Sequence, residues 1–130
     1  SRALLSALAA ALRALWEQKR LFPLFIVMDE QQDGAVCRHL QSLCGVGRCV
    51  LPPSEQLACG LFALPRGVIG MRLHALIFAS VARAPAIGVS VRPQDDKLAV
   101  FARQGGYLMA PLTTNAAAWE RLIRQRLLGE

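Results

Sequence analysis

The chain has no uninterrupted apolar stretch of the roughly 18 residues needed to cross a bilayer, which excludes a membrane-spanning helix. It has no C-x-x-C pair among Cys37, Cys44, Cys49 and Cys59, no internal repeat and no low-complexity tail. Four thiols so spaced, in a chain large and apolar enough to need no stapling, read as buried cysteines of a reducing compartment, and a zinc site shared with His39 is poorly spaced. Lysine is scarce: Lys19 and Lys97 are the two, so arginine carries most of the 15 basic residues against 9 acidic ones. The guanidinium fork binds phosphates and carboxylates bidentately, so an arginine-rich surface suits small anionic ligands. The basic residues are scattered, and Trp119 alone lies near the last basic cluster, so the chain lacks the gathered basic and aromatic face of a nucleic-acid binder. It also lacks an initiator methionine, which reads as a piece of something longer.

What is present is apolar residue in short runs alternating with helical stripes. The hydrophobic fraction is 54% over 130 residues, enough for one core, and the reading is a single domain over 1–130. Leu4, Leu5, Leu8, Leu12, Leu15 and Trp16 mark a packing helix over 2–18 that superficially imitates a signal peptide. Strands are expected at 24–28, 49–51, 68–69, 86–90 and 107–109. The first, a continuous apolar run, is expected to be buried on both faces. Helices are expected at 31–43, from a Ser54 cap to about 64, at 72–83 and at 96–103, with a last helix capped by Thr113-Thr114-Asn115. Phe78, Phe101 and Trp119 read as core. The alternation is that of βα units, predicting an α/β fold: a three-layer Rossmann-like domain with an open parallel sheet of about five strands.

The richest stretch is Gly70-Met71-Arg72-Leu73-His74-Ala75-Leu76-Ile77-Phe78-Ala79. It sets an arginine and an imidazole where strand passes into helix, and in parallel sheets ligands bind beyond the carboxyl ends of the strands. The first turn of such a helix offers backbone N–H groups and a partial positive charge, which favour an anion. Two residues apart on a regular helix, Arg72 and His74 would diverge by about 200°; both reach one ligand only if Gly70 and Met71 form the turn and the helix starts late. A structural role, with Arg72 on a carbonyl and His74 in the core, is the plain alternative. Asp29 and Asp33 at a strand end could meet a sugar hydroxyl or cap the next turn. Ser54, Glu55 and Gln56 could face a ligand or simply cap a helix, and His39 reads as surface.

The same string, followed by Ala84-Pro85-Ala86-Ile87-Gly88-Val89-Ser90 with the proline eleven residues after His74, resembles the carboxyl-terminal domain of the polysaccharide pyruvyl transferase family. The resemblance is best over 54–106. It implies a two-domain enzyme similar to GT-B glycosyltransferases, of which this chain is the second half and is inactive by itself. It further implies transfer of a pyruvyl group from phosphoenolpyruvate to a sugar of a cell-wall or exported polysaccharide as a ketal. His74 would then be the general acid/base or a hydrogen-bond partner of the phosphate, and Arg72 would hold an anionic group, beside Gly70. Where the family carries a Tyr-Asp-Pro-Lys string this chain reads Val91-Arg92-Pro93-Gln94, so Arg92 or Lys97 is expected to supply the missing charge. Glu55 is the candidate for a nucleotide or lipid-linked diphosphate. The implied partners are the donor, a sugar or lipid-linked oligosaccharide acceptor and an N-terminal domain, with no metal, cofactor or nucleic acid. The implied location is the cytoplasm, with peripheral association at the inner face of the membrane. Two other readings keep the fold: the nucleotide-sugar-binding half of a GT-B glycosyltransferase, and a non-catalytic α/β interaction domain.

Overall fold

The computed structural model describes residues 2–90 and 96–130. Elements follow the order α1 (Arg2–Lys19), β1 (Leu24–Ile26), α2 (Glu30–Cys44), β2 (Arg48–Val50), α3 (Glu55–Leu61), β3 (Val68–Gly70), α4 (Leu73–Val81), β4 (Ala86–Gly88), α5 (Asp96–Gly105), β5 (Leu108–Met109) and α6 (Ala116–Leu122), the last running into a π-helical turn, Ile123–Leu127. The chain is therefore mixed α/β with parallel pairing throughout, as the alternation predicts. The strands do not form one sheet. β1 pairs with β2, and β3, β4 and β5 form a separate sheet in that order. Each strand is only two or three residues long because prolines and glycines bound it: Pro23 before β1, Pro52 after β2, Pro85 before β4, Gly106 before β5 and Pro111 after it.

Two compact units result, the first from 1–58 with 115–120 and the second from 59–114 with 121–130. In the first, α2 is the crossover between β1 and β2, and α1 packs on α2. The leucine stripe read from the sequence is the buried face of α1, since Leu4, Leu5, Leu8 and Leu15 are buried and Ala9 and Ala11 join them. β1 departs from expectation. It has β2 as its partner and leaves Leu24 exposed, so this apolar run is buried on one side only. Asp29 caps α2, accepting from the N–H groups of Gln31 and Gln32, while Asp33 Oδ2 accepts from the Asp29 N–H at 3.1 Å. The two carboxylates thus serve the helix start, the turn-capping alternative of the sequence reading.

In the second unit, α4 links β3 to β4 and α5 links β4 to β5, and the two helices pack against each other. Central β4 is the strand buried at every position, with the π-helical turn packed on it as well. The last helix is capped by Asn115, whose Oδ1 accepts from the Ala118 N–H at 2.8 Å, but it loosens to π geometry after Leu122 instead of continuing as one helix. Trp119 is fully buried as predicted, whereas Phe78 and Phe101 are half-buried.

Helices α4 and α5 end in the same way. The N–H of Tyr107 reaches the carbonyl of Ala102 and that of Gly106 reaches Arg103, with Gly106 at φ +74°. At the end of α4 the N–H of Ala84 reaches Ala79 and that of Arg83 reaches Ser80, but the left-handed position, φ +56°, is held by Arg83 instead of glycine. An L side chain there costs about 1–2 kcal/mol, partly balanced by the extra disorder a glycine would give the unfolded chain. Arg83→Gly is therefore expected to raise stability by about 0.5–1 kcal/mol, seen as a higher urea midpoint at unchanged slope.

Candidate functional site

β3 ends on Gly70, opposite Gly88 of β4, which stands opposite Met109 of β5. Gly70, Gly88 and Met109 thus form a row at the carboxyl edge of the parallel sheet. Leu76 of α4 rests on both glycines. A Cβ on Gly70 would lie 2.9 Å from Leu76 Cδ2, and one on Gly88 would lie 3.2 Å from Leu76 Cδ1 and 2.5 Å from Met109 Sδ. The absent side chains let the first turns of α4 settle directly on the edge. Gly70, expected to border the ligand, is buried, and its evident role is this close approach. Gly88 and Leu76 were not singled out from the sequence. The signal that would have found them is the repeat of Val68-Ile69-Gly70 as Ala86-Ile87-Gly88, which puts two glycines in one register.

Arg72 is the N-cap of α4, with extended backbone (φ −129°, ψ 146°) and no side-chain capping bond, so the regular helix starts at Leu73. Gly70 stays in β3 and Met71 and Arg72 make the turn, so Arg72 lies outside the helix and His74 inside its first turn. His74 is exposed and Arg72 half-buried, so neither is sealed among aliphatic side chains. The imidazole stands 6.2 Å from the ring of Phe78 one turn on, and Phe78 meets buried Phe62 edge-on at 5.6 Å. An i,i+4 ring contact of this kind limits the rotamers of His74 while leaving its outer edge to solvent. The first turn of α4 itself carries no acidic residue that would complement the positive end of the helix dipole.

Lys97 is exposed in the first turn of α5, which follows β4, so the topology brings it to the same edge of the sheet as Arg72 and His74. Arg92 lies outside the described residues. Glu55 is exposed at the start of seven-residue α3, in the first unit, behind the Ser54 cap whose Oγ accepts from the Leu57 N–H at 3.2 Å. His39 is exposed on α2, as expected.

The cysteines depart from the sequence reading. All four are free; Cys44 is buried, but Cys37, Cys49 and Cys59 are only half-buried. Among the described residues no three His, Cys, Asp or Glu side chains converge as a metal-binding group. Burial pushes the Cys37 thiol from its ordinary 9.0 up to about 11, with neighbouring Cys49 the next contribution. The folded chain therefore retains the proton that the unfolded chain releases first. The associated stability is intact below pH 9.0 and is lost as pH climbs toward about 11. Urea unfolding across that window should show a falling midpoint, flattened in Cys37→Ala.

No family model, curated protein or solved structure matches this chain. Among the described residues, no helix is long and apolar enough to cross a membrane.

Proposed function

We propose that the chain is the Rossmann-like carboxyl-terminal domain of a GT-B-like transferase that moves a pyruvyl group from phosphoenolpyruvate onto a sugar of a cell-wall or exported polysaccharide. The observation that supports this reading is that half-buried Arg72 and exposed His74 both stand at the start of α4, beyond the carboxyl end of a parallel strand. Phosphoenolpyruvate offers a carboxylate and a phosphate. Arg72 takes one of them as a bidentate partner, and the N-terminal end of α4 favours the other.

Ketal formation needs a proton on the methylene carbon, attack of a sugar hydroxyl on the adjacent carbon, departure of phosphate, and closure by a second hydroxyl. Each hydroxyl gives up its proton as its oxygen bonds. His74 is the imidazole at this edge, a side chain of the kind that serves as general acid and base. Lys97, in the first turn of α5, supplies the charge where the family's lysine is missing, with Arg92 as the alternative. The activity requires the N-terminal domain of the full-length protein, working in the cytoplasm.

The test is incubation of the full-length protein with phosphoenolpyruvate and an oligosaccharide acceptor. Release of inorganic phosphate together with the mass gain of a pyruvate ketal supports the reading. Turnover of a nucleotide sugar with phosphoenolpyruvate untouched overturns it.

A further inference from the structure

At the amino edge of the β1–β2 pair, remote in sequence from the residues just discussed, the chain displays an aromatic and basic loop. Helix α1 ends when Arg20 adopts a left-handed conformation (φ +57°), its N–H still bonded to the carbonyl of Trp16. That turn folds the Arg20 guanidinium back over the indole of Trp16, 5.1 Å from its centroid, and throws Phe22 edge-on against the same ring at 5.9 Å. Phe22 is 52% exposed and Leu24 44%. Arg48 lies beside them: it is the register partner of Leu24, donates its N–H to the carbonyl of Pro23 at 3.1 Å, and carries an exposed side chain. A shallow depression of about 490 Å3, lined by Arg38, Gln41, Ser42, Gly45, Val46 and Gly47, adjoins the loop. Gly47 is its border, since a Cβ there would lie 2.8 Å from the carbonyl oxygen of Pro23.

We propose that this loop docks the protein on an anionic phospholipid surface, Phe22 and Leu24 entering the boundary between headgroups and acyl chains while Arg20 and Arg48 meet the phosphates. Two observations select this partner. The apolar tips are flanked by cations, and the nearest carboxylate of α1, Glu17, is engaged by Arg13 at 2.8 Å, so the rim complements a negative surface. An aromatic with a basic fringe, apolar at its end, is what an interface between water and lipid accommodates. Single-stranded nucleic acid fits less well: the indole that would stack a base is already covered by Arg20, and leucine contributes no stacking. The proposal uses no residue of the donor site and stands or falls apart from it.

The experiment is co-sedimentation of the full-length protein with vesicles of phosphatidylcholine alone and of phosphatidylcholine with phosphatidylglycerol, followed by tryptophan emission, to which Trp16 contributes beside buried Trp119. Binding to the anionic vesicles only, with a blue shift, is expected. Phe22→Ser should weaken the partition roughly tenfold, and Arg20→Glu at least about tenfold. Arg48→Glu provides a second charge variant, and circular dichroism verifies the fold of each. Absence of binding to anionic vesicles overturns the proposal. So does binding that all three folded variants retain, which would trace it to the net charge of +6. A loop-dependent affinity for single-stranded RNA without affinity for vesicles would assign the patch to nucleic acid and overturn it equally.

Discussion

Replacing His74 with alanine is expected to slow pyruvyl transfer by the full-length protein about a hundred- to ten-thousand-fold, the usual weight of a positioned general acid or base. Stability should change by no more than about 0.5 kcal/mol, because the imidazole is exposed and its ring contact with Phe78 is peripheral. Arg72→Lys separates the roles. It keeps the charge but removes the planar fork, so it should raise the KM for phosphoenolpyruvate more than it lowers kcat. The measurement is phosphate release against donor concentration, alongside thermal melts of each variant. Wild-type turnover by a correctly folded His74→Ala protein would leave the non-catalytic interaction domain as the better account.

Trp119→Ala is the substitution expected to cost most stability. The indole is 0% exposed and is the largest fully buried side chain of the described residues. Its removal empties more volume than neighbouring side chains can fill by relaxing, which costs about 3–5 kcal/mol. For a domain of this size that corresponds to a melting temperature lower by roughly 10–20 °C. Trp119→Phe should recover most of the loss. Nε1 has no hydrogen-bond partner among the described residues, so phenylalanine forfeits ring volume but no protein hydrogen bond. Melts of the wild type and both variants check the pair; equal losses in Ala and Phe would contradict this account of the indole.

The elements were legible in the sequence where local signals decide them. Prolines and glycines punctuate every strand, Asp29, Ser54 and Asn115 cap helices as their types predict, and the leucine stripe names the buried face of α1. Strand pairing was not legible, because hydrogen bonding between strands far apart in sequence has no local signature. Five short apolar runs are equally consistent with one sheet of five and with the observed two and three. The same blindness misjudged β1, since an apolar run does not declare how many faces will be covered. Arg83 in a glycine position and the π turn at Ile123–Leu127 are backbone choices that residue type does not announce. At the edge of the β3–β5 sheet, Arg72 and His74 stood out because they fall where a strand passes into a helix, the end of a parallel sheet at which ligands bind. The glycine row beneath them was missed because its meaning depends on register across neighbouring strands.

The central claim is that the Arg72–His74 edge receives phosphoenolpyruvate, and the two histidines allow it to be tested within one spectrum. Phosphoenolpyruvate is titrated into isotopically labelled protein while the imidazole resonances of His74 and His39 are followed. His39, exposed on α2, is the internal control. The account predicts a saturable shift of the His74 ring and of the Arg72 guanidinium with His39 unmoved; a folded protein whose His74 and Arg72 resonances stay in place through the titration contradicts it.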